Sequence, residues 1–200
     1  MAQSAAGGHV ELSAAPGSRL GISSSGETVV VYALVAPTAV TLMSARGGDG
    51  ESWTTETLAD LPAGSSWNSV TNAAGKVLVT WGSPPDQAMH ATLYSTATGW
   101  SPIPAPKAVR NDKAAIALAE DGRIAIADSS PASVPAGCTA RTLVRVHHLG
   151  AGSNWSEPEI VDDAAALSSV TALGYAGDDL LVLWQRGPRE ATYAVSLPGP

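Results

Sequence analysis

The chain has 200 residues, with 18 acidic against 11 basic side chains and a formal net charge of −7. That balance excludes a nucleic-acid backbone as partner, because phosphates need a basic face, and it disfavours anionic membrane surfaces. A hydrophobic share of 44% against 14% charged excludes disorder, while 20 Gly and 14 Pro make the chain rich in turns.

No apolar run reaches membrane-spanning length, and residues 1–8 lack the charged and apolar regions of a signal peptide. A single cysteine, Cys138, has no partner for a disulfide or a Cys-based zinc site. The Ala-rich, Lys-poor composition fits a high-GC bacterial gene, and an extracellular or periplasmic location is expected.

In chain order, residues 7–16 (GGHVELSAAP) read as an isolated strand. After it, one pattern occurs four times. A strand of mostly small residues (20–24) leads to Gly26, then to an apolar β-branched run ending near Pro37, an alternating strand (40–45) and Trp53. The same series runs through 67–72, Gly75, Pro84, 91–96 and Trp100. It returns through 114–119, Gly122, Pro131, 142–149 and Trp155, and a fourth time through 168–174, Gly177, Pro188 and 191–197. The glycines lie 49, 47 and 55 residues apart, and the tryptophans keep the last two spacings. A Gly among polar residues between apolar runs is a hairpin signal, whereas no window sustains a helical period.

These repeats predict an all-β chain: a four-bladed β-propeller of four-stranded antiparallel blades, its ring closed by the N-terminal strand. The whole chain is then a single domain. Blade one covers about 17–60, blade two about 63–107, blade three about 112–163, and blade four about 166–200 plus 8–16. Four repeats also fit part of a larger ring, or a ring completed by two chains, so both a monomer and a ring-completing dimer are compatible. Regular short strands fit a sandwich or barrel too.

The turn between the third and fourth strands resembles the Asp-box hairpin of sialidase-type bacterial propellers, whose pattern runs Ser-x-Asp-x-Gly-x-Thr-Trp. Here 47–53 (GGDGESW) keeps Gly50, Ser52 and Trp53, 151–155 (AGSNW) keeps Gly152 and Trp155, and 96–100 (TATGW) keeps only the Trp. The resemblance implies the blade fold alone. No Arg-Ile-Pro segment occurs, so no catalytic residue is carried over.

Loops on one face of such a scaffold would gather the polar residues. The expected ligand-binding set is Asp86, Arg110, Asp128, Arg141, Arg186 and Arg189, on the face of the long 129–140 connection. Asp128 stands in a mostly apolar strand, where a carboxylate is costly unless paired; it reads as a salt bridge or as the strand's exposed end, ahead of a ligand contact. Tyr32, Trp81 and Trp184 read as packing between blades rather than as sugar platforms. His147 and His148 are strand neighbours and point to opposite faces, so they do not share a metal. Asp162, Asp163, Asp178 and Asp179 read as turn and surface acids. No catalytic residue, metal or cofactor is expected. With no acid/base constellation visible, the sequence points to a non-enzymatic binding module for a glycan or a protein partner. The alternatives are a glycan-processing enzyme, hydrolase or lyase, and a purely structural domain of an exported protein.

Overall fold

The computed structural model describes residues 2–3, 9–10, 19–22, 27–47, 52–131, 142–149, 154–163, 168–187 and 192–198. Gly26, Asp49, Gly50, Cys138, Arg141, Gly152 and Arg189, with most of the 129–140 connection, lie outside them.

The strands form four antiparallel sheets in chain order, preceded by a two-stranded ribbon of β1 (Ala2–Gln3) and β2 (His9–Val10). The first sheet is β3 (Arg19–Ile22), β4 (Thr28–Val35), β5 (Ala39–Gly47) and β6 (Thr54–Pro62), and the second is β7 (Ser66–Thr71), β8 (Val77–Gly82), β9 (His90–Ser95) and β10 (Gly99–Ile103). The third is β11 (Ala114–Leu118), β12 (Ile124–Pro131), β13 (Thr142–Leu149) and β14 (Glu159–Asp162), and the fourth is β15 (Ser168–Ala176), β16 (Asp179–Arg186) and β17 (Thr192–Leu197). Each is a meander of adjacent strands, and first strands of successive sheets pack side by side.

Local chemistry fixes the hairpins. Gly75, Gly122 and Gly177 turn the first strand into the second with φ of 78°, 97° and 65°, a region that suits glycine. In two of these turns the bonding is the same: Gly75 donates to Asn72 O at 3.0 Å, and Gly122 to Ala119 O at 3.0 Å.

The core is three seams. The second strands of the second and third sheets are apolar on both faces, so their alternate residues serve two different seams. Val29, Val31 and Leu42 of the first sheet meet Val77, Val79 and Tyr94 of the second. Leu78 and Met89 of the second meet Ile116, Ile124 and Ile126 of the third. Ala125, Ala127 and Val144 of the third meet Leu180, Val182 and Trp184 of the fourth. The outer face of the fourth sheet exposes Leu181 and Leu183.

Of the strand expected over 8–16 to close the ring, only His9–Val10 is described; it pairs with Ala2–Gln3, and β17 pairs with β16 alone among the described residues. Pairing within one short segment closes a far smaller loop than pairing between the two ends of the chain, so it costs less entropy.

Candidate functional site

The segment from Pro104 to Lys113 links the second sheet to the third and borders three cavities. It is held firmly. Val109 is buried, Met89 donates its N–H to Val109 O at 3.2 Å, and Asn111 donates its own to Gln87 O at 2.9 Å. The buried Asn111 side chain donates to Ser66 Oγ at 3.0 Å. Within this frame Ala108 adopts φ of 59°, a left-handed conformation that a non-glycine residue holds only when its surroundings impose it.

Asp128 is the centre of the site. It sits on β12 among Ile124 and Ile126, 1% exposed, where a lone carboxylate would be costly. The register puts Arg145 of β13 directly across from it. Arg145 donates from Nη2 to Asp128 Oδ2 at 2.7 Å and from Nε to Oδ1 at 3.2 Å. Two residues on, on the same face, His147 Nε2 lies 3.1 Å from Asp128 Oδ1. The β13–β14 pairing shifts register between Val144 and Arg145, and such bulges re-aim side chains.

The carboxylate stands between two cavities. On one side a cavity of about 410 Å³ is lined by Asp128 with Arg110, Lys113, Ser129, Ser130 and Ser168 among others. On the other, a cavity of about 570 Å³ is lined by Arg145 and His147 with Lys107, Trp155 and Glu157, walled by Pro104, Pro106 and Pro158. Among the described residues His147 Nδ1 has no hydrogen-bond partner, and the ring borders the second cavity.

Of the expected ligand set, Arg110 and Asp128 line one cavity together. Arg110 is tied by two bonds to Asp112, at 3.0 and 2.9 Å, and that guanidinium holds the Asp112 carboxyl below the usual range. Asp86 borders a neighbouring cavity and caps the Ala88 N–H at 3.2 Å. Arg186 is elsewhere, in the third seam, where it pairs with Asp162 at 2.6 Å and covers the Tyr193 ring at 4.3 Å. Arg141 and Arg189 are outside the described residues.

The sequence did not mark Arg145, His147, Trp155 or Glu157 as candidate site residues. It set His147 aside because strand neighbours diverge. The informative relation was instead the alternation Arg145, His147 opposite an acid on the neighbouring strand. Asp162 also departs from its surface reading. It is buried, accepting from Trp184 Nε1 at 2.8 Å, Ser168 Oγ at 3.1 Å and Arg186.

No protein-family model and no curated protein sequence matches the chain. Solved structures of similar arrangement include the polysaccharide lyase Uly1, at 11% identity and a TM-score of 0.45, covering 90% of this chain and 49% of that one. A second is from the GH130 family of mannoside phosphorylases, which contains glycoside hydrolases that target β-1,2 mannosidic linkages in Candida mannan. It matches at 13% identity and 0.37, covering 92% and 64%. A third is a glycosyl hydrolase from Bacteroides ovatus, at 12% and 0.37, covering 92% and 64%. The chain thus spans about half to two-thirds of the length of these structures.

These solved structures are of glycan-processing enzymes, against the expectation of a non-enzymatic binding module, which is not retained. Its premise was the lack of an acid/base constellation. Asp128, Arg145, His147 and Glu157 come from separate stretches of chain and converge only in the fold.

Proposed function

We propose that the chain is a glycan-processing enzyme that breaks glycosidic bonds in the cavity between its second and third sheets. The four sheets act as blades of a β-propeller, and the cavities beside residues 104–113 receive the glycan, with Arg110 and Asp128 among its binding residues. The observation that carries this is the buried Asp128 holding His147 at 3.1 Å on the wall of a cavity that also contains Glu157.

Hydrolysis and elimination share one requirement, a proton donor for the leaving glycosidic oxygen and a proton acceptor. In hydrolysis the acceptor takes its proton from water, and in elimination from the carbon next to a uronate carboxylate. A histidine and a carboxylic acid in one cavity meet that requirement. Asp128 orients the imidazole and Arg145 holds the Asp128 carboxylate in place through two hydrogen bonds, leaving Nδ1 of His147 for the reacting group.

The test is incubation with a panel of plant, algal and fungal polysaccharides. New reducing ends without a new chromophore indicate hydrolysis, and absorbance from a carbon–carbon double bond indicates elimination. His147→Ala should lower kcat about 10²–10⁴-fold. The absence of new chain ends on every substrate would overturn the reading.

A further inference from the structure

Trp53, Trp100 and Trp155 follow the third strands of successive sheets, yet they are used differently. Trp100 lies against Tyr94, with ring centres 5.3 Å apart, and donates to Ser44 Oγ in the first seam. Trp53 packs with Val30, Tyr32 and Ala45. Trp155 packs against the second seam and also borders the cavity that holds His147. Its indole N–H donates to Pro104 O at 2.9 Å, which fixes the ring relative to the cavity wall.

A half-buried, pinned indole flanked by prolines offers an apolar surface with polar groups at its rim. That matches a pyranose ring, whose axial C–H bonds make an apolar face and whose equatorial hydroxyls radiate outward. The charges lining the cavity come in opposite pairs. The Arg145 guanidinium is bound to Asp128, and the cation of Lys107 is matched by the acid of Glu157. Among the described residues Lys107 and Glu157 form no ion pair, so both can meet sugar hydroxyls.

We infer that Trp155 is the platform of a subsite for an uncharged pyranose ring in the same cavity as His147. The inference rests on the glycan site proposed above and narrows it. With an uncharged ring at this place the reaction is hydrolysis, in which water gives its hydroxyl to the anomeric carbon and a proton to the leaving oxygen. Elimination would need the acidified C–H of a uronate.

The experiment measures Kd by titration calorimetry for cellohexaose, mannohexaose and hexagalacturonate, on the full chain and on variants of matched Tm. Trp155→Tyr keeps an aromatic face, and Trp155→Leu keeps apolar bulk alone. The expected result is that at least one neutral hexasaccharide binds more tightly than hexagalacturonate. Trp155→Tyr should bind it within about threefold of the parent, and Trp155→Leu about tenfold more weakly, equivalent to ~1.4 kcal/mol. Equal affinity in Trp155→Leu, preference for hexagalacturonate, or no binding of any of the three would overturn the inference. Trp155-dependent binding of a neutral hexasaccharide without cleavage would sustain the subsite while overturning the enzymatic reading. Cleavage indifferent to Trp155→Leu would do the reverse.

Discussion

Single side chains carry most of the site's logic, and they were the least legible part of the sequence. Asp128 announced itself as an acid in an apolar strand, and the structure shows why it is tolerated: Arg145 and His147 share it. Its partners lie 17 and 19 residues away, beyond the long 129–140 connection, so no local spacing exposed them. Replacing Asp128 by Asn should cost about 3–5 kcal/mol through the unpaired buried guanidinium, read as a loss in urea midpoint. His148, on the other face of the same strand, is held below the ordinary histidine range by burial, with Glu159 pulling the other way. The unfolded chain then takes up a proton more readily than the folded one. Stability is complete above about pH 6.5 and declines as pH falls below it. A His148→Gln variant should show a flatter Tm against pH in that acid range. An unchanged slope would place the titration elsewhere.

At the level of strands and turns the sequence was far more transparent. The first strands, the hairpin glycines Gly75, Gly122 and Gly177, and the apolar second strands stand where the repeat put them, because each rests on a local rule: positive φ for Gly, period two for a sheet, an apolar β-branched run for a buried strand. Trp184 packs in the third seam as read, stacked on Tyr193 at 5.8 Å, whereas Tyr32 packs within the first sheet against Val30, Ala45 and Trp53. The seams depend on small buried polar contacts that no period reveals. Ser44 is fully buried and accepts the Trp100 indole N–H at 3.0 Å, so Ser44→Ala should strand that donor at a cost of about 1–3 kcal/mol by chemical denaturation. Gly82 illustrates the same point sterically. A Cβ there would stand 2.5 Å from Gln87 O and 2.9 Å from the Asn111 Cβ. Gly82→Ala should therefore cost about 1–3 kcal/mol and, by moving Asn111, loosen the segment that borders the cavities.

For the molecule as a whole, the order of sheets was readable and the closure was not. The repeat stays in phase across the termini, but phase says nothing about which of two strands an edge will pair with, and His9–Val10, the described part of the N-terminal strand, pairs with Ala2–Gln3. Because each sheet packs chiefly on its neighbours, stability is distributed along a line of seams. A chain ending at residue 163 would uncover Ala125, Ala127, Val144 and Val146 and should bind a hydrophobic dye and aggregate on warming. Each seam also contains one tryptophan whose indole N–H crosses it: Trp100 to Ser44, Trp155 to Pro104 and Trp184 to Asp162. In a nitrogen-15 spectrum those three indole protons are separate reporters, one per seam. Their rates of exchange with deuterium would rank the seams by opening free energy without a mutation, and a sugar seated on Trp155 would move one resonance of the three.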